Sequence, residues 1–230
     1  MGPIYLGLAI VIFLIFAGFG ILSWVQNHAR QQALTFDMGT PTPAPALTAT
    51  PKPTQLRDGQ SVGTAIGFPR ADLRHGISAD LTSGGHGSPV DGIPCQAEMV
   101  QVHVHSHLAL FINGREVQIP GAIGLTPTPQ GGCFYWLHTH GPDGIIHVEA
   151  GAPDAPQGGH YNLGMFFDIW GTSLSARQVG PFIGKVTAFV NGAHYDGDPR
   201  TIPLRSHQDI TLEVGQPVVT PPAYRLPPYD

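Results

Sequence analysis

The stretch QVHVHSHLALFING, residues 101–114, contains the clearest structural pattern in this chain. Successive side chains of a β-strand point to opposite faces, so a strand here places three histidines on one face: His103, His105 and His107. The continuously apolar second half is typical of a strand covered on both faces. Asn113-Gly114 is a strong signal for a two-residue hairpin turn. We therefore predict a long strand over residues 99–112 that turns back into a partner strand over 116–120.

A second group of histidines lies in the segments WLHTH (136–140) and IIHVE (145–149). A strand through the first segment, over about 134–139, would place His138 and His140 on one face. The intervening Gly-Pro-Asp-Gly predicts a tight turn into the second strand. Two short strands that each carry His-x-His are typical of a transition-metal site, because imidazole suits zinc, copper, nickel and iron.

These patterns predict one mononuclear metal site between two neighbouring strands. Its core ligands are expected to be His103, His105, His138 and His140. His147 and Glu149 follow as further ligands or as partners of the ligating rings. A metal-bound imidazole needs a hydrogen-bond acceptor for its other nitrogen, and Asp143 is a second candidate for that role beside Glu149. The residue types fit Zn(II) or Cu(II).

Three other interpretations of these histidines need no metal. Histidines can decorate a solvated strand face, or they can occupy a core where hydrogen bonds satisfy them. Their protonation can also serve as a pH switch. His107 fits a metal site and a structural role equally, because it lies where the predicted strand becomes buried. The isolated histidines elsewhere in the chain are interpreted as structural.

An apolar segment without charged residues, Ile4 to Val25, lies near the start of the sequence. A helix of this length spans the hydrocarbon core of a bilayer. It predicts an uncleaved membrane anchor over residues 1–27 that contacts lipid through residues 4–25. A cleaved signal peptide is the alternative, although no basic segment precedes the run. The Pro/Thr-rich residues 28–60 predict an extended linker.

The chain contains two cysteines, Cys95 and Cys133. An even pair that follows a membrane-targeting segment favours a disulfide, and hence an oxidising compartment. The alternatives are two reduced thiols, or Cys133 as a metal ligand close to His138. With the disulfide, the folded domain is expected on the extracytoplasmic side of the membrane.

Two short helices are predicted after the histidine segments. Asn162 is a favourable N-cap, and apolar residues then recur at helical spacing, which predicts a face packed on the core: Leu163, Phe166, Phe167 and Trp170. Gly171 ends this helix. Thr172 or Ser173 is expected to begin a second helix that continues through Val179.

Further strands are predicted over 185–190, which is followed by the hairpin signal Asn191-Gly192, and over 209–214. The predicted fold class is mainly β (α+β), a small antiparallel domain with two short helices. Its expected limits are residues 95–216. A Gly-rich irregular segment over 61–94 precedes it, and a Pro-rich tail over 217–230 follows it.

Charge and motifs exclude several classes of function. The net charge is -5 with 11 basic residues, so there is no basic stripe for nucleic acid. The sequence contains no P-loop and no dinucleotide-binding fingerprint. Acidic residues are sparse and scattered, which gives no support to glycosidase chemistry.

Three segments together resemble a largely uncharacterised family of secreted or membrane-anchored, His-rich prokaryotic proteins. They are HVHSHLALFINGREVQIPGAIG (103–124), CFYWLHTHGPDGIIHVEA (133–150) and YNLGMFFDIWG (161–171). The resemblance covers roughly residues 95–214, which is most of the folded part, and implies no particular activity. Members of the family usually carry Asp directly after His-Thr-His, whereas this chain has Gly141.

Three functions are compatible with the sequence. The first is a membrane-anchored domain that captures or buffers copper or zinc. The second is a zinc- or copper-dependent enzyme, with three histidines around the ion and an open position for water. The third is a structural or interaction domain that binds no metal.

Overall fold

The computed structural model describes residues 54–55, 63, 84–127, 131–151 and 161–226. The predicted anchor and most of the predicted linker lie outside these residues. Within the described ranges, no helix is both long enough and apolar enough to cross a membrane.

The described residues form mainly short strands around two long ones. The strands are β1 (Thr54–Gln55), β2 (Cys95–Gln96), β3 (Val102–Ile112), β4 (Arg115–Val117), β5 (Leu125–Thr126), β6 (Cys133–Tyr135), β7 (Leu137–His138), β8 (Ile145–Ala150), β9 (Leu174–Ser175), β10 (Gln178–Val179), β11 (Phe182–Ile183), β12 (Val186–Val190), β13 (Ala193–Tyr195), β14 (Gln208–Val214) and β15 (Tyr224–Arg225). The helices are α1 (Leu163–Trp170) and a 3-10 turn (Pro199–Thr201). The prediction of a mainly β domain is confirmed.

The largest sheet has seven strands, and β3 lies at its centre. The strand order is β13-β12-β14-β3-β8-β7, and β4 also pairs with β3. All neighbours are antiparallel except β3 and β14, which run parallel. The antiparallel prediction is therefore corrected at this pair. Parallel neighbours require a long crossover between them, and the chain between β3 and β14 supplies it.

The two faces of this sheet differ in chemistry. One face carries alternate residues of β3 and β14, such as Leu110 and Leu212, and belongs to a core cluster that also contains the apolar face of α1. The other face carries the three alternating histidines of β3. On the same face, β14 contributes Asp209, which is paired with His107, and Glu213, which is paired with Phe111. The period-2 pattern of the sequence thus separates the core from a polar face.

The first predicted helix is confirmed, with both of its predicted ends. Asn162 Oδ1 accepts a hydrogen bond from Met165 N at 3.0 Å, and Gly171 adopts a left-handed conformation at φ 74°. The predicted aromatic face is buried.

The second predicted helix, over residues 172–179, is wrong. This segment forms the hairpin of β9 and β10, in which Leu174 and Val179 are direct partners and are both buried. Five residues apart on a helix, these two side chains would lie about 140° apart. In the hairpin they lie side by side, so a single face buries both.

The predicted strand over 134–139 is divided at Trp136. β6 pairs with β2 and β5 in a separate three-stranded sheet, whereas β7 pairs with β8 in the large sheet. His140 lies beyond the end of β7. The backbone around it bonds instead to a preceding loop, since Ala122 N donates to His140 O at 3.2 Å and Thr139 N donates to Ile123 O at 3.0 Å.

The predicted disulfide is confirmed. Cys95 and Cys133 are bonded and connect β2 to β6. The thiol-pair alternative and a ligand role for Cys133 are therefore excluded in this structure, because the sulfur atoms are joined to each other.

Residues outside the expected limits of the domain also pack against it. Ile93 belongs to the core, and Leu226 packs on Ile145. The segment that leads to β15 crosses the polar face of the large sheet. There Tyr224 N donates to Asp209 Oδ2 at 2.9 Å, and the Tyr224 ring lies 3.9 Å from the His107 ring between centroids.

Glu213 is a buried carboxyl group on this polar face. Its residue is 1% exposed, and one oxygen accepts a hydrogen bond from Val219 N at 2.8 Å. Burial raises the pKa of Glu213 to about 7, while the Val219 hydrogen bond acts in the opposite direction. Between pH 4.5, near its unfolded pKa, and pH 7, the folded chain keeps a proton that the unfolded chain releases. Stability therefore falls as the pH rises through this interval.

Glu213→Gln is expected to raise the free energy of unfolding by about 2–3 kcal/mol at pH 8 and to change it little at pH 5. Glutamine keeps a carbonyl oxygen for Val219 N and removes the buried charge. Urea unfolding of both proteins at the two pH values measures the effect. An equal difference at pH 5 and pH 8 would contradict the assignment to this carboxyl group.

Candidate metal centre

Strand register brings the histidines of three strands into one row. His105 of β3 is paired with His147 of β8, and His147 is paired with His138 of β7 on its other side. In the neighbouring row, His103 is paired with Glu149. Directly paired residues point to the same face, so these side chains converge.

The described residues contain two groups of side chains that could hold a metal ion, with the ligand atoms of each group within 4.8 Å of one another. The first group is His138, His140, His147 and Glu149. His138 Nε2 lies 2.9 Å from His140 Nε2 and 3.8 Å from Glu149 Oε2. His147 Nδ1 lies 3.2 Å from Glu149 Oε1. His138, His147 and Glu149 are buried, whereas the His140 side chain is 48% exposed.

The second group is His103, His105 and His147. His105 Nε2 lies 3.0 Å from His147 Nδ1, and His103 Nε2 lies 3.0 Å from Glu149 Oε1. His147 belongs to both groups. The structure therefore places all five predicted histidine ligands and Glu149 together, but it divides them differently from the predicted mononuclear set.

The His138 ring is oriented for ligation. Its Nδ1 lies 2.8 Å from the carbonyl oxygen of Tyr135, which can only accept a hydrogen bond. Nδ1 therefore donates, and in the neutral ring the lone pair is on Nε2, which faces the other ligands. Burial lowers the pKa of His138 to about 3, despite the opposing effect of the Glu149 carboxylate. The ring is neutral at physiological pH, as a metal ligand must be.

A carboxylate that was not among the predicted ligands lies at the edge of the first group. Glu98 Oε1 is 3.7 Å from His140 Nε2. Burial, and next the negative charge of Glu149, raise the pKa of Glu98. A bound cation would relieve the repulsion between these two carboxylates. The sequence did indicate that Glu98 lies near the site, because the predicted disulfide brings residues 95–98 close to the segment that carries His138 and His140.

Two other predicted residues have different surroundings. Asp143 is in neither group. Its Oδ1 accepts a hydrogen bond from Ile145 N at 3.1 Å and so closes the turn before β8. His107 is also in neither group. It is fully buried, with its Nδ1 3.4 Å from Asp209 Oδ1 and its ring against Tyr224.

The donor set fits a borderline transition metal. Three imidazoles and one carboxylate are ligands that Zn(II) and Cu(II) accept. One oxygen of Glu149, Oε2, is buried and has no hydrogen-bond partner among the described residues, so an ion there would satisfy it. A comparison of this chain with family models, with curated proteins and with solved structures found no match.

Proposed function

We propose that this protein binds a transition metal ion, zinc or copper, through His138, His140, His147 and Glu149. The observation that carries the proposal is the convergence of these four ligand groups within 4.8 Å, three of them buried. Four protein ligands complete a tetrahedral shell, which is typical of sites that hold a metal without an open position for a substrate. Capture or buffering of the ion is therefore the function that the site supports best.

The half-exposed His140 gives the ion a route into the site. Its side chain reaches solvent, while His138 beside it is fully buried. An arriving ion can meet His140 and Glu98 first, and can then exchange its remaining waters for the buried ligands. The negative charges of Glu98 and Glu149 favour the approach of a cation.

We also propose that the domain is extracytoplasmic and anchored by the segment from Ile4 to Val25. The disulfide supports an oxidising compartment. The anchor itself rests on sequence alone. We expect the chain to stay in membranes during an alkaline carbonate wash, and complete release into the wash would contradict a spanning anchor.

Substitution of His140 tests the metal site. Mutation of a residue that only hydrogen-bonds to a metal ligand typically lowers metal affinity 10–100-fold. Because His140 is proposed as a ligand itself, His140→Ala is expected to weaken the tightest binding of Zn(II) or Cu(II) about 100-fold or more. His194→Ala is a matched control, since the side chains of His140 and His194 are 48% and 53% exposed. Competition titration against a chelator measures both affinities.

Two results would overturn the proposal. One is a wild-type chain that retains neither zinc nor copper after equilibration with each ion. The other is a His140→Ala variant that binds as tightly as the His194→Ala control.

A further inference from the structure

The two ligand groups share His147 and lie on either side of Glu149. We propose that the site holds two transition-metal ions side by side, bridged by Glu149. This inference rests on the proposed function and extends it from one ion to a pair. The first ion would lie with His138 and His140, and the second with His103 and His105.

The separation of the two histidine pairs argues against a single ion that binds all of them. Ligand nitrogens around one zinc or copper ion lie about 2 Å from it, and so at most about 4 Å from one another. The pair His103 and His105 and the pair His138 and His140 fall into different groups, even with a limit of 4.8 Å. Strand β8 lies between β3 and β7 in the sheet and keeps the pairs apart.

The Glu149 carboxylate is placed to bridge the two positions. Its Oε1 lies 3.0 Å from His103 Nε2, and its Oε2 lies 3.8 Å from His138 Nε2. Each oxygen therefore faces a different group. Oε2 is buried without a hydrogen-bond partner in the described part of the chain, which is costly for a carboxylate. An ion on each side would satisfy both oxygens. Two metal ions bridged in this way usually lie about 4 Å apart.

His147 belongs to both groups and lies between the two pairs. Its ring centroid is 4.4 Å from that of His105 and 5.4 Å from that of His138. Its Nδ1 lies 3.0 Å from His105 Nε2 and 3.2 Å from Glu149 Oε1, so this ring can complete the ligand set of either ion.

We expect the two ions to bind in two steps, because their positive charges exceed the negative charge of the nearby carboxylates. Two divalent ions bring four positive charges, whereas Glu149 and the nearby Glu98 supply two negative ones. The second ion therefore binds against the repulsion of the first. Because the first group has four protein ligands and the second has three, the first group is expected to fill first.

Titration of the purified full-length chain with Cu(II) tests the pair. Elemental analysis is expected to find two ions per chain at saturation. Electron paramagnetic resonance is expected to show an isolated Cu(II) signal at one equivalent. At two equivalents that signal should lose most of its intensity, because two unpaired spins about 4 Å apart couple through bridging ligands.

A matched pair of variants assigns each position. His103 and His140 are both partly exposed, at 34% and 48% of their side chains, so neither substitution leaves a buried cavity. His103→Ala and His140→Ala are each expected to reduce the stoichiometry from two ions to one and to abolish the coupling. His194→Ala should keep two coupled ions. Glu149→Gln should weaken the coupling.

The outcomes separate this inference from the proposed function. A wild-type chain that binds one ion would overturn the pair. If His140→Ala weakens the binding of that ion and His103→Ala does not, the proposed single site remains intact. Two ions without spin coupling would overturn the bridge. No bound copper and no bound zinc would overturn both proposals.

Discussion

Replacement of both cysteines, Cys95→Ser with Cys133→Ser, is expected to lower the free energy of unfolding by about 4 kcal/mol. The two residues are 38 positions apart, and a crosslink that closes a loop of this size removes about that much chain entropy from the unfolded state. β2 and β6 are only two and three residues long, so their backbone hydrogen bonds cannot replace the crosslink. Urea unfolding of the oxidised wild type and the double variant measures the difference.

Reduced wild-type protein is the control for this experiment. With the disulfide broken by a thiol reagent, its unfolding midpoint should approach that of the double serine variant. A double variant that loses less than about 1 kcal/mol would show that the crosslink constrains little, contrary to the chain-entropy estimate.

Zinc or copper at a thousand times its dissociation constant is expected to raise the free energy of unfolding by about 4 kcal/mol. The ligands of the first group come from β7, β8 and the loop after β7. They converge only when β7 and β8 are paired, so the ion binds the folded chain and not the unfolded one. Thermal unfolding at increasing metal concentration measures the effect. The midpoint should rise with the logarithm of the free ion concentration.

Two variants check that this stabilisation comes from the site. His140→Ala should lose most of the rise at the same metal concentration, whereas His194→Ala should keep it. An equal rise in both variants would place the metal elsewhere in the chain.

The elements that could be predicted from the sequence have local causes. β3 and its hairpin follow from alternation and from Asn113-Gly114, whose two residues both have positive φ, at 49° and 73°. The helix α1 follows from its cap and from an apolar face at helical spacing. Each of these signals lies within about a dozen residues, and no distant contact opposes it.

Other elements depend on partners that are distant in the chain. The segment after α1 became a hairpin because β9, β10 and β11 pair with one another and turn Leu174 and Val179 to the same side. The predicted strand through Trp136 divides because its two halves find partners in different sheets. β14 pairs parallel to β3 across roughly a hundred residues, and no local pattern specifies that pairing.

For the candidate site, the ligand types and the strand faces on which they lie follow from the sequence alone. Alternation alone places His103 with His105, and His147 with Glu149. Which of these residues meet depends on the order of the strands in the folded sheet. The two His-x-His strands were predicted to be neighbours, whereas β8 lies between β3 and β7. The tight turn after His140 makes β7 and β8 adjacent, and the free edge of β8 then pairs with β3. Strand order, which depends on pairing between distant segments, thus places His147 and Glu149 at the centre of the site and divides the remaining histidines into two pairs.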